Sequence, residues 1–133
     1  METPDFLSGK HILLVEDNAI NQMLVKYTLS SSGADIDICD TGTKALEKLH
    51  ENSYDVILMD IHMPELDGYQ TTAIIRNELK LQTPILAMTA LPASTEDEKF
   101  RQVGMNGSVP KPFTIEALTS ALAKFIPPAQ LCA

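Results

Sequence analysis

The sequence predicts an α/β domain, a five-stranded parallel sheet with helices on both faces. Three observations predict it. Apolar, β-rich runs alternate with segments whose apolar residues recur at helical spacing. The two middle runs, YDVILM (54–59) and PILAMT (84–89), are nearly continuous apolar stretches, as a sheet covered on both sides requires. Cap residues stand where the helical segments begin.

The elements follow in order. Met1–Lys10 is a short polar leader. The first strand is HILLV (11–15), and Ile20, Met23, Leu24 and Tyr27 then mark a helix. ADIDIC (34–39) is the second strand, followed by a helix carrying Ala45, Leu46 and Leu49, with Thr41 as its N-cap. After YDVILM comes a helix with a mixed face, Tyr69, Ala73, Arg76 and Leu79. After PILAMT, Thr95 and Glu98 are spaced as a capping box for a fourth helix, marked by Phe100 and Val103 and closed by Gly104. A weaker strand at GSV (107–109) precedes a last helix of Ile115, Leu118, Leu122 and Phe125, capped by Thr114 and stopped by Pro127. The expected division is a leader (1–10), one domain (11–126) and a short tail (127–133).

Composition narrows the function classes. A chain of 133 residues with 44% hydrophobic content suits one packed core. The 18 acidic against 10 basic residues give a net charge of −8, which repels nucleic acid and anionic lipid and favours a basic protein partner or bound cations. The two cysteines, Cys39 and Cys132, make no disulfide framework and fit a reducing cytoplasm. Met23, Met59, Met63, Met88 and Met105 read as core residues rather than a cofactor box, and His11 and His50 as strand-start and helix-surface residues.

Open parallel sheets bind ligands beyond the carboxyl ends of their strands. The first strand ends in Glu16-Asp17, the third in Asp60, the fourth in Thr89, and the fifth just before Lys111. Three carboxylates brought together need compensation, and Mg²⁺ takes oxygen ligands of this type while keeping waters. A lysine ammonium and a threonine hydroxyl at the same edge could hold phosphoryl oxygens. Together these residues suit phosphoryl transfer to a carboxylate. Each has an alternative taken alone. Glu16 and Asp17 suit the N-terminus of the next helix, Asp60 a turn, Thr89 a strand end, and Lys111 a solvated surface. Their coincidence at one sheet edge favours the site.

The segments ILLVEDN (12–18), MDIHMPELDG (59–68), AMTA (87–90) and KPF (111–113) resemble, in order and separation, the receiver domains of two-component response regulators. The resemblance covers His11 to about Ile126, and ILLVEDNAINQ is similar to receivers attached to hybrid histidine kinases. It implies a flavodoxin-like (βα)5 doubly wound fold with strand order 2-1-3-4-5. It also implies that Asp60 is the phospho-acceptor, with Asp17 as a direct Mg²⁺ ligand, Glu16 acting through a water, and the His62 backbone carbonyl completing the metal contacts. Lys111 would contact phosphate, with its bond to Pro112 cis. Thr89 would be the switch hydroxyl and Ala90 its small neighbour. The His62 side chain would overhang the site and tune hydrolysis. The implied donor is a histidine kinase or histidine-phosphotransfer protein, the target a further protein, and the domain works without nucleic acid or membrane.

One position departs from the family pattern. An aromatic residue usually stands three positions before the lysine, where this chain has Ser108. A serine cannot fill or vacate a ring-sized pocket, so intact chemistry with an altered relay is expected. Pro110 removes a donor from the fifth strand, which an edge tolerates. The domain would catalyse its own phosphorylation and hydrolysis without turning over an external metabolite. A phosphatase with an aspartyl-phosphate intermediate would need a second acid two positions after Asp60, where His62 stands. A flavin mononucleotide binder would need a phosphate-cradling loop after the first strand, where Glu16-Asp17 would repel the phosphate. A degenerate receiver that binds partners constitutively fits Ser108 but not the full set of acids with Lys111.

Overall fold

The computed structural model describes residues 9–29, 33–63, 66–89, 101–110 and 114–125. The elements are β1 (His11–Val15), α1 (Ala19–Thr28), β2 (Asp35–Cys39), α2 (Gly42–Glu51), β3 (Val56–Asp60), α3 (Gly68–Asn77), β4 (Ile85–Thr89), β5 (Gly107–Pro110) and α4 (Ile115–Phe125). Every strand pairing is parallel and the order is β2-β1-β3-β4-β5, as expected from the sequence. Pro110 lies on the edge strand, opposite Thr89.

Alternation along the strands builds two cores. Leu13, Val15, Ile57, Met59, Ile85 and Ala87 face one side, where they meet Ala45 and Leu49 of α2 and Ile75 of α3. Ile12, Leu14, Val56, Leu58, Leu86 and Met88 face the other, where they meet Val25 and Leu29 of the α1 region and Leu118 and Leu122 of α4. The central strands are buried on both faces, so only their ends reach solvent.

The caps at Thr41 and Thr114 form, accepting from the amides of Lys44 (3.1 Å) and Ala117 (3.0 Å). Residues 101–103 are helical and Gly104 closes them at φ +102°, a conformation open to glycine. The expected capping box at Thr95 and Glu98 lies outside the described residues.

Two helix faces differ from expectation. In α1 the apolar stripe Ile20, Met23, Leu24 and Tyr27 is exposed, and the helix instead buries Val25. Met23 is therefore not a core residue, whereas Met59, Met63, Met88 and Met105 are. In α3 the buried face is Gly68, Thr71, Thr72 and Ile75, with Tyr69 and Leu79 packed at its margin. Arg76 is spent on carbonyls: its guanidinium donates to Gly104 O (3.0 Å), Leu81 O (2.8 Å) and Asn106 Oδ1 (2.8 Å). That oxygen also accepts from the Ile85 amide, so Arg76 ties α3 to the starts of β4 and β5.

A polar cluster joins the start of β1, the middle of β2 and the residues just before β3. Asp37 Oδ2 accepts from the Tyr54 hydroxyl (2.6 Å) and lies 2.9 Å from His11 Nε2. The His11 and Tyr54 rings pack at a 42° tilt with centroids 4.3 Å apart, and Asp55 Oδ2 accepts from the His11 amide (2.8 Å). These partners explain why Tyr54 and Asp55, read as part of the third strand, stand just before it. The Tyr54 hydrogen bond, and after it His11, hold the Asp37 carboxyl below the ordinary carboxylate range. A folded value below the unfolded one adds stability above about pH 4, which is lost as pH falls through the folded value. Tyr54→Phe should therefore cost about 1 kcal/mol at neutral pH, a modest figure for a part-buried pair. Urea denaturation should show that gap narrowing as pH falls below about 4; a gap constant with pH would contradict the assignment.

Candidate active site at the carboxyl ends of the strands

The sheet order makes neighbours of residues distant in sequence. β1 lies beside β3, with Val15 opposite Met59, and β3 lies beside β4, with Asp60 opposite Met88. Glu16-Asp17 therefore leaves the sheet next to Asp60, and Thr89 ends the strand on the other side. One carboxylate oxygen from each of Glu16, Asp17 and Asp60 lies within 4.8 Å of the other two. Glu16, Asp60 and Thr89 are almost fully buried, and Asp17 is exposed.

The β1–α1 loop is held by its own polar groups. The Glu16 amide donates to Cys39 O (3.0 Å), and the Asn18 amide donates to Glu16 Oε2 (3.1 Å). Asn18 is the N-cap of α1, its side chain accepting from the Asn21 amide (3.0 Å). The first turn of α1 contains no acidic residue. Asn18 thus performs the capping that Glu16 and Asp17 could have performed, and the acids turn to Asp60 instead.

The β3–α3 loop brings backbone against the central carboxylate. Asp60 Oδ1 accepts from the His62 amide at 3.3 Å, and the His62 side chain is exposed. The Gly68 amide donates to Ile61 O (2.9 Å). A Cβ at Gly68 would lie 2.5 Å from Asp60 O and 2.9 Å from Ile61 Cα, so only glycine lets α3 start this close. Asp67 caps α3 in a reciprocal box with Gln70, at 2.8 and 3.0 Å. Asp67-x-x-Gln70 carries the capping-box spacing in the sequence, and Gly68 closes the motif segment MDIHMPELDG (59–68).

Lys111, Pro112 and Ala90 lie outside the described residues. Ser108 sits half-buried in β5, opposite Ala87. The donor set of Glu16, Asp17 and Asp60 is all oxygen and all anionic, with two members buried and one open to water. That suits a hard divalent cation that retains part of its hydration, as Mg²⁺ does.

The response regulator receiver domain model matches residues 12–123. The chain belongs to the response-regulator receiver family. It is 38% identical over 118 residues to the transcription factor SKN7 of Saccharomyces cerevisiae, covering 89% of this chain and 19% of that protein. It is 34% identical over 149 residues to probable histidine kinase 1 of Oryza sativa, covering 88% of this chain and 15% of that protein. The chain thus spans under a fifth of these curated relatives. Among solved structures, the receiver domain of a sensor histidine kinase from Pseudomonas aeruginosa superposes with a TM-score of 0.80 at 38% identity, over 90% of this chain and 98% of that one. That structure holds a magnesium ion coordinated in its active-site cleft. The chemotaxis protein CheY4 of Vibrio cholerae superposes with a TM-score of 0.83 at 28% identity, over 89% and 99%. The flavodoxin-like fold expected of a two-component receiver is therefore present.

In this receiver, Gly68→Ala forces the start of α3 away from Asp60 O. The variant should lose about 1–3 kcal/mol in urea denaturation, as other overpacked sites do. It should also shift the amide resonances of residues 60–62; an unchanged urea midpoint would show that the close contact relaxes freely.

Proposed function

We propose that this receiver accepts a phosphoryl group on Asp60 from a phosphohistidine protein, in a Mg²⁺-dependent reaction, and that the modified domain acts as a switch. The meeting of Glu16, Asp17 and Asp60 within 4.8 Å beside Thr89 carries this reading. An Asp60 carboxylate oxygen attacks phosphorus, a P–O bond forms, and the P–N bond breaks with its electron pair returning to the imidazole. Bound Mg²⁺ would neutralise charge on the phosphoryl oxygens, held by Asp17, Asp60 and the His62 carbonyl, with Glu16 acting through a water. The Thr89 hydroxyl donates to one phosphoryl oxygen, and Lys111 pairs with another. Ala90 would be the small neighbour that keeps the site accessible. The exposed His62 side chain steers the water that later hydrolyses the acyl phosphate. The domain thus turns over its own modification and no external metabolite. Ser108 cannot fill or vacate a ring-sized pocket, so output passes without the family's aromatic relay and the surface around β5 changes little on phosphorylation.

The donor would be a histidine kinase or histidine-phosphotransfer protein of the cytoplasm. Ile20, Met23, Leu24 and Tyr27 are 43–82% exposed on α1, the helix that begins two residues after Asp17. Their helical spacing suits docking against another helix, which would bring a phosphohistidine to the strand ends.

With Mg²⁺ and acetyl phosphate, intact-mass measurement should show one added phosphoryl group, and Asp60→Asn should abolish it. Met23→Glu should slow labelling from a phosphohistidine protein by about tenfold while leaving acetyl phosphate labelling intact. Equal labelling of Asp60→Asn would remove Asp60 as the acceptor.

A further inference from the structure

The β1–β2 ladder ends at the Val15–Cys39 pair. One residue later, the Glu16 carbonyl accepts from the Gln22 side-chain amide at 2.6 Å. Gln22 is half-buried on α1, and beside it a cavity of about 590 Å³ opens between α1 and α2, lined by Ile38, Cys39, Asp40 and Lys44. With open space on that flank, the hydrogen bond fixes the side chain more than packing does. Asp17 has the opposite problem. It is exposed, and among the described residues no hydrogen bond or ion pair holds its side chain. Its position follows from the loop backbone alone.

That backbone is fixed at three places: the Glu16 amide on Cys39 O, the Asn18 amide on Glu16 Oε2, and the Gln22 side-chain amide on Glu16 O. We infer that Gln22 is a positioning residue for the acidic site: by anchoring the Glu16 carbonyl it sets where Asp17 meets Asp60. Without that donor a part-buried carbonyl loses a hydrogen bond, and the loop turns to find another. Glu16 stays buried under its remaining bonds, so the displacement falls on Asp17. The inference rests on the reading that Glu16, Asp17 and Asp60 take the cation.

Gln22→Met has similar length and no donor. NMR on the metal-free protein should show faster hydrogen exchange at the Asn18 amide, and titration with Mg²⁺ alone should show a dissociation constant raised about fivefold, the loss of one hydrogen bond. Gln22→Glu has the same shape, no donor and an added negative charge. Tighter Mg²⁺ binding by that variant would show charge, not positioning, in control; weaker binding supports positioning, and it decides the matter if Gln22→Met fails to fold. Wild-type exchange at Asn18 and wild-type Mg²⁺ affinity in Gln22→Met would overturn the inference while Asp17→Asn still weakens binding. If Asp17→Asn binds Mg²⁺ as the wild type does, the cation reading fails instead, and the metal-free exchange of Asn18 still judges Gln22.

Discussion

Three like charges within 4.8 Å is the arrangement on which this domain turns. Ionised carboxylates so close repel, and an acidic chain gives them little relief. They stay together because two of them are attached to strands that cannot move away. Asp60 is itself the last residue of β3, buried on both faces, and Glu16 follows β1 directly with its amide bonded to β2. The two cores on either side of the sheet fix the spacing of these strands. Packing energy, gathered far from the site, thus maintains an electrostatic arrangement that a small polar loop could not. Such a site is poised for a cation and an anionic group that share its charge.

The loops around the carboxylates complete this arrangement. α3 starts against the Asp60 carbonyl because Gly68 has no side chain, and its N-cap box fixes the direction of departure. α1 starts from Asn18, which relieves Glu16 and Asp17 of capping. At the opposite ends of the strands, the Asp37 cluster joins β1 and β2 to the start of β3, and Arg76 joins α3 to β4 and β5. The sheet is tied at both ends, and the α1 stripe stays exposed to solvent.

Much of this was legible in the sequence, because strands buried on both faces are written as continuous apolar runs and the residue that ends each run is conspicuous. Glu16, Asp17, Asp60 and Thr89 were found that way, and parallel topology placed them at one edge. The rest depended on facts that periodicity does not contain. Spacing marks Ile20, Met23, Leu24 and Tyr27 as one stripe, but Val25 and Leu29 lie on another side of the helix, and only packing shows which side meets the sheet. In α3, Arg76 sits at the helical spacing of a core residue, yet its carbonyl partners come from segments beyond the helix. Gly68 needed the approach of α3 to β3, and Gln22 needed the point where the β1–β2 ladder stops. Pro112 and Ala90 rest on the family motif, and Lys111 on that motif and on its place just after the fifth strand.

The central claim is that the fold gathers its acids into one cation site at the strand ends. Mn²⁺ takes the same oxygen ligands as Mg²⁺ and broadens nearby NMR signals. Titrated at low stoichiometry into the protein, it should broaden the amides of residues 16–18 and 60–62 first and leave α2 sharp. Broadening centred on Asp40, Glu47 and Glu51, or spread evenly over the acidic surface, would contradict the account.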